Sequence, residues 1–313
     1  MLDDNEVYIA RTLLKNQILE SDAQTFEALF TRIMQKSNKS FIQVRPYGNL
    51  GDKKNDGFDK TTGTYYQVYS PEDISNANTI PNAIKKLNDD FEGLYSYWNP
   101  LYQIRQFYYV INDRYKGVPP QLPTAVASLE KKYPEITFGF YLSNALEDTF
   151  LSLSDGDMMS IVGCIPNPAE QLDYSALTDV LNYLMNMTVD DSGISNFFVP
   201  DYDEKIKINH LSEAIGCQLK TANYQVGGLE TFFRKNSHYT KDQIQQKIIK
   251  SYVDITNSID NSIDNYSDIV FIKLVNSIYP NGSAAIRTAV IILISYFFET
   301  CDIFDSPTPE VSV

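Results

Sequence analysis

Apolar positions follow helical spacing at the start of the chain. Residues 6–37 carry apolar side chains at Tyr8, Leu13, Leu14 and Ile18, then at Phe26, Leu29, Phe30, Ile33 and Met34. The second group repeats at i, i+3, i+4, i+7 and i+8, which predicts a helix with one buried face. Ser21 or Asp22 is placed to cap it. Residues 41–45 alternate as a short strand, stopped by Pro46. Strands near 57–60 and 64–70 then flank Gly63 as a hairpin. A helix over 75–98 is spaced by Ile80, Ile84, Leu87, Phe91, Leu94 and Trp98. Residues 104–111 are β-branched and aromatic and predict a central strand. A helix over 122–133, a strand over 136–142 and a helix over 144–153 follow. Strands joined through helices predict partly parallel pairing, with the hairpin as the antiparallel portion.

Beyond about residue 155 the pattern becomes helical. Asp155-Gly156-Asp157 reads as a turn and 166–168, with two prolines, as a linker. Helices are expected over 172–187, 208–222, 227–233, 241–257, 267–279 and 283–300. The expected fold class is α+β with a mixed sheet over residues 1–155, then an all-α region over 156–305. Residues 306–313, with Pro307 and Pro309, read as a disordered tail.

Composition narrows the function classes. The 313 residues are 43% hydrophobic and 13% aromatic, enough for a sizeable core. A net charge of −14 argues against a dedicated nucleic-acid coat, which would show basic faces, though a local basic groove can coexist with an acidic chain. Cys164, Cys217 and Cys301 form no CxxC pair, and with His210 and His238 as the only histidines no zinc pattern assembles. Each histidine stands alone, without a nucleophile motif. The acidic pair Asp89-Asp90 reads as lying on a solvated face or turn. The most apolar stretch, 288–298, is shorter than the about 20 residues a membrane helix needs, and the acidic N-terminus is unlike a signal peptide. Together with sparse cysteines, these features lead us to expect a cytoplasmic chain without a membrane segment.

One stretch carries candidate chemistry. The turn over 48–59 is rich in Gly, Asn and Asp and ends in Asp56-Gly57, and the run Gln67-Val68-Tyr69 follows on the next strand. A carboxylate on one strand and an amide oxygen on its neighbour, both in one cleft, suit a hard divalent cation. Phosphodiester hydrolysis of this kind adds a lysine, two positions after the second ligand, to position the attacking water, and often a helix glutamate. Glu27 lies at the edge of the apolar stripe of its helix. It reads either as a solvated surface glutamate or as a carboxylate reaching the Asp56 cleft. Lys53 and Lys54 read either as a solvated turn pair or as a relocated cation.

The order Glu27, Asp56-Gly57, Gln67-x-Tyr69 resembles the restriction-endonuclease-like PD-(D/E)xK superfamily, in its Mrr-like branch. That branch runs as a helix glutamate, a Gly/Asp-rich turn ending in Asp-Gly, and Gln-x-Lys. Gly48, Gly51, Asp52, Asp56, Gly57 and Gln67 match the pattern, whereas Tyr69 stands in the lysine position. The resemblance implies a restriction-endonuclease-like fold over 1–155. It also implies DNA cleavage with Mg2+ or Mn2+ held by Asp56 and Gln67, assisted by Glu27, with Lys53 or Lys54 as the cation. Asp52, Asp59 and Tyr69 border the site.

The helical half, through Ile208-Asn-His-Leu-Ser-Glu-Ala-Ile215, Leu229-Glu-Thr-Phe-Phe233 and the apolar run over 292–304, is similar to the C-terminal domains of ABC three-component systems. These are bacterial conflict loci that pair an SMC/ABC-type ATPase with a small middle component and an effector. The resemblance covers roughly 170–305 and implies docking on that ATPase complex, with DNA as substrate and homo-oligomerisation left open. Two functions follow: a metal-dependent endonuclease effector of an antiphage complex, or a catalytically inactive nuclease-like domain serving as a nucleic-acid-binding or assembly module.

Overall fold

A computed structural model describes residues 2–46, 48, 51–71, 76, 78–163, 165, 171–187, 202–237, 239–300 and 303–304. The expected linker at 166–168, the tail at 306–313, Cys164, Cys301 and His238 lie outside the described residues. The chain divides into two compact units, Gln17–Val162 and Met1–Asn16 with Gly163–Val313.

The first unit is α+β. Its helix α2 (Ala23–Ser37) is closed at its N-terminus by a capping box: Asp22 Oδ1 accepts the Thr25 N–H and Thr25 Oγ1 accepts the Asp22 N–H, both at 2.8 Å. That cap splits the helical stretch expected over 6–37 into two helices, with α1 (Asp4–Glu20) before it. The sheet comprises β1 (Phe41–Gln43), β2 (Gly57–Asp59), β3 (Thr64–Tyr69), β4 (Gln106–Ile111) and β5 (Thr137–Tyr141), in that spatial order. β1–β2 and β2–β3 are antiparallel, while β3–β4 and β4–β5 are parallel. The parallel pairs are joined through α3 (Thr79–Trp98) and α4 (Gln121–Lys132), as crossover connections require. The mixed sheet expected from the sequence is present.

Alternation along β3 sorts its side chains to two faces. Tyr65 joins Phe58, Leu87, Phe91, Phe107 and Tyr109 in the core beneath α3 and α4. Tyr66 meets Phe30, Phe41 and Tyr141 on the other side. After β5 come α5 (Ser143–Leu151) and α6 (Asp155–Val162). The expected turn at Asp155-Gly156-Asp157 is thus the first turn of a helix. Ser154 Oγ accepts the Asp157 N–H and donates to its carboxylate, and acidic side chains at a helix N-terminus complement its dipole.

The second unit is helical: α7 (Tyr174–Asn186), α8 (Tyr202–Ile208), α9 (Glu213–Asn223), α10 (Val226–Lys235), α11 (Lys241–Ser258), α12 (Tyr266–Ile278) and α13 (Ala284–Thr300). The single helix expected over 208–222 is interrupted, because Ser212 caps α9 and His210 takes a left-handed φ of 52°. α13 is apolar around its circumference and buried, with α7, α9, α10 and α12 packed on it. The start of α1 belongs here too. Tyr8 Oη donates to the buried Asp268 carboxylate of α12 at 2.6 Å, and Lys15 Nζ donates to Asp264 O at 2.8 Å. Among the described residues, no helix is long and apolar enough to cross a membrane.

Candidate functional site

Asp56 precedes β2 and uses its backbone on both sides. Its N–H donates to Tyr66 O, and its carbonyl accepts from Val44. The side chain therefore comes opposite Gln67, on the same face as Phe58 and Tyr65. Its Oδ2 accepts the Val68 N–H at 2.6 Å, a donor beyond the point where β2 begins. Gly57 has a packing reason of its own: a Cβ there would lie 2.2 Å from Phe41 Cζ, so the Asp-Gly step lets β1 close over the sheet.

The polar atoms around Asp56 are incompletely satisfied. Asp56 is 6% exposed and Gln67 5%, and Gln67 Oε1 is buried without a hydrogen-bond partner among the described residues. Asn55 is fully buried with both amide atoms unpartnered, and the Tyr109 hydroxyl is likewise orphaned. Native folds leave few buried polar atoms unpaired, so each of these has capacity for water, an ion or a ligand.

Charge accumulates at the same place. Burial pushes the Asp56 carboxyl from 3.8 up to about 7; the Val68 hydrogen bond opposes the rise, Glu27 and Asp52 add to it, and Lys86 pulls against it. Glu27, half-buried on α2, is also raised, by burial and then by Asp52. The Asp52 charge thus acts on both Glu27 and Asp56, and the Glu27 charge on Asp56. They do not form a cage: among the described residues, no three His, Cys, Asp or Glu side chains are grouped to hold a metal ion. The donor set still suits Mg2+, which binds oxygen, keeps several waters and needs only one or two protein carboxylates when substrate phosphate supplies the rest. Asp56 would supply a carboxylate and Gln67 the unpartnered amide oxygen.

The remaining expected residues have distinct surroundings. Asp52 accepts the Lys54 N–H at 2.8 Å. Lys53 and Lys54 have φ of 55° and 65°, the left-handed region that costs a non-glycine residue about 1–2 kcal/mol. Lys53 Nζ lies 5.6 Å from the Tyr97 ring centroid, and Lys54 Nζ 2.9 Å from Asp90 Oδ1. The two lysines line a groove of about 610 Å³ with Gly51, Asp52, Gly93, Ser96 and Tyr97. Asp59 pairs with Thr64 in register and so faces away from Asp56; its carboxylate holds Asn38 and Thr61 as a turn anchor. Tyr69 stacks on Tyr109, with ring centroids 5.8 Å apart.

Tyr109, opposite Gln67, and the Asp90–Lys86 ion pair of α3 were not singled out from the sequence. Asp90, expected on a solvated face, is 2% exposed and bound by two lysines, Lys54 and Lys86. The signal was available, because Asp90 sits beside Leu87, Phe91 and Leu94 in the apolar stripe of α3 with Lys86 one turn before it.

Neither a curated protein nor a solved structure matches the chain. A family model does match over residues 175–305, that of C-terminal domain 10 of the ABC-three component (ABC-3C) systems. Its span includes α7 to α13, close to the extent of the resemblance drawn from the apolar helices. Residues 175–305 are accordingly similar to a C-terminal domain of the ABC-three component systems.

Proposed function

We propose that this chain is the effector of an antiphage ABC-three component system, a Mg2+- or Mn2+-dependent DNA endonuclease governed by its SMC/ABC-type ATPase and small middle component. The observation that carries the reading is the Asp56–Gln67 pair: a buried carboxylate and an unpartnered amide oxygen, side by side across the β2–β3 hairpin and beside Glu27 and Asp52. The helix glutamate, the Asp-Gly turn and the Gln strand follow one another along the chain in the order of the PD-(D/E)xK resemblance.

Asp56 and Gln67 would hold the cation, with Glu27 as the assisting carboxylate. Bound there, Mg2+ would supply a Lewis acid that polarises the phosphodiester and lowers the pKa of its water. The Val68 N–H fixes the orientation of the Asp56 carboxylate. Burial limits competing solvent around Gln67. The helical unit docks the chain on the ATPase complex, so that the partners set when the site acts.

One observation favours a second reading. Tyr69 occupies the lysine position and is stacked on Tyr109 rather than free to be replaced by a charge in place. On this reading the domain is catalytically inactive and binds nucleic acid or assembles the complex. Plasmid cleavage with Mg2+ or Mn2+ and the partner proteins present, run on the wild type and Asp56→Ala, separates the two. A wild type that never cuts, or an Asp56→Ala variant that cuts equally well, removes the nuclease reading.

A further inference from the structure

We infer that the C-terminal end of α3, with Lys53 beside it, is a stacking platform for an unpaired strand of nucleic acid, with bases on Tyr97 and Tyr102 and a phosphate on Lys53. The inference goes beyond the nuclease reading, because strand binding here does not need the Asp56–Gln67 pair to hold a metal or to cut.

The buried stripe of α3 ends before the helix does. Leu87, Phe91 and Leu94 are buried, but Tyr97 is 39% exposed, and just beyond the helix Leu101 is 59% and Tyr102 46% exposed. Exposed apolar side chains that adjoin one another mark interaction sites, unlike single ones. Here the rings are linked. Tyr97 meets the half-buried Trp98 edge to face, with centroids 5.4 Å apart. Trp98 lies 5.2 Å from the buried Phe58 ring, and Phe58 lies 5.9 Å from Tyr102. Tyr102 is also held at its backbone, where its carbonyl accepts from Tyr65 Oη at 2.8 Å. Rings seated on a buried one lose little freedom when a ligand arrives.

The same face adjoins a cation. The groove of about 610 Å³ beside the 51–54 turn is of ligand-cleft size, and Tyr97 lines it together with Lys53 and Lys54. Its charges are directed differently. Asp52 accepts the Lys54 N–H, and the Lys54 ammonium ends 2.9 Å from Asp90 Oδ1. The stem of Lys54 crosses α3 at Gly93, where an added Cβ would come 3.1 Å from its Cγ, so the turn is tied to the helix. Lys53 instead holds its ammonium over the Tyr97 ring, 5.6 Å from the centroid. An ammonium beside an aromatic face matches what one nucleotide presents, a phosphate beside a base. Protein interfaces are rich in Tyr and Trp too, but lysine is depleted from them. Lys54 precedes Asp56 by two residues, so their Cα atoms are at most about 7 Å apart and a strand in the groove passes close to the Asp56 turn.

A chain of net charge −14 limits what charge can contribute. One lysine gives a shallow salt dependence, so stacking supplies most of the affinity. The bases of a duplex are already stacked on one another and gain nothing from the rings.

The test is fluorescence anisotropy on the full chain in EDTA, which leaves no cation for cleavage. The probes are a labelled DNA strand of about 12 nucleotides, the RNA of the same sequence and the DNA duplex. A single strand is expected to bind about tenfold or more tightly than the duplex, and the tighter of the two names the preferred strand. Tyr97→Ala should weaken that binding about tenfold, the scale of one lost base stack, and Tyr97→Trp should restore it. Lys53→Met should weaken it as well and flatten the slope of log affinity against log salt by about 0.7, the share of one phosphate contact. Tyr224→Ala, at a tyrosine 90% exposed in the helical unit, should bind as the wild type does. Duplex binding as tight as single-strand binding overturns the inference, as do wild-type affinities in both Tyr97→Ala and Lys53→Met. A chain that binds no strand overturns it too, and a Tyr97→Ala variant that then fails to copurify with the partner proteins makes the face a protein interface. A wild type that binds single strands in this way but never cuts plasmid with Mg2+ upholds the inference and removes the nuclease reading alone.

Discussion

Gln67 and Tyr109 sit opposite one another across the parallel β3–β4 ladder, and each buries a side-chain oxygen that finds no hydrogen-bond partner among the described residues. Burying an unsatisfied polar group costs about 1–3 kcal/mol, so a purely structural residue at 67 would be apolar. Gln67→Leu is therefore expected to raise the unfolding free energy by about 1 kcal/mol without divalent cation. If Asp56 and Gln67 hold the cation as proposed, the wild type gains about 2.7 kcal/mol from Mn2+ at 100 times its dissociation constant, and the variant should lose that gain. Urea melts with and without Mn2+ read both effects. A Gln67→Leu chain that is less stable in cation-free buffer would assign Oε1 to the fold.

Asp56 makes stability depend on pH in an unusual direction. With its pKa raised from 3.8 to about 7 by burial, the folded chain holds a proton between those values that the unfolded chain has released. Its contribution therefore favours folding most at low pH and is lost as pH climbs from about 4 to about 7, by at most on the order of 4 kcal/mol. Asp56→Asn keeps the shape and an acceptor for the Val68 N–H but cannot ionise. Its melting temperature should match the wild type near pH 4.5 and exceed it by several degrees at pH 8, in thermal scans at both values. The same gain at both pH values would refute the linkage.

Much of the fold was legible because periodicity and burial coincide. The stripe through Ile84, Leu87, Phe91 and Leu94 gave α3, and the aromatic run at 106–111 gave β4. Breaks inside continuous patterns were harder to see. The Asp22–Thr25 box and the Ser212 cap interrupt stretches whose apolar residues run on regardless. That Asp56 and Gln67 come opposite one another could be read because a turn motif and a strand fix their spacing. Asp90 could not, since a charged residue beside an apolar stripe looks solvated until its two lysine partners, one 36 positions away at Lys54, are brought to it.

Gly57 offers a test of the hairpin without touching the site's oxygens. A Cβ at 57 would lie 2.2 Å from Phe41 Cζ and 2.6 Å from Cε2, distances no packing tolerates. Gly57→Ala is expected to destabilise the chain by about 1–3 kcal/mol through overpacking. Phe41→Leu alone should cost about 1 kcal/mol, and the double variant should be more stable than the sum of the two changes implies. Strictly additive melts would mean that the ring moves aside freely.

In the helical unit, the buried Asp268 carboxylate joins three elements. Oδ2 accepts from Tyr8 Oη at 2.6 Å and Oδ1 from the Ser212 N–H at 3.0 Å, linking α1 and the cap of α9 to α12. Burial, together with the Asp268 hydrogen bond and charge, lifts the Tyr8 phenol to about 12, so it stays protonated and donating across the working pH range. Asp268→Ala strands both donors and is expected to cost about 2–4 kcal/mol, whereas Tyr8→Phe removes the bond to Asp268 and the exposed one that Tyr8 Oη accepts from Asn265 Nδ2 at 2.8 Å, and should cost about 1–2. Added to Asp268→Ala, Tyr8→Phe should cost less than it does alone, because only the exposed Asn265 bond is left to lose. Chemical denaturation followed by circular dichroism measures all three. If Tyr8→Phe costs as much in the Asp268→Ala background as in the wild type, the tyrosine acts through packing alone, and the start of α1 is held to the helical unit by its apolar face.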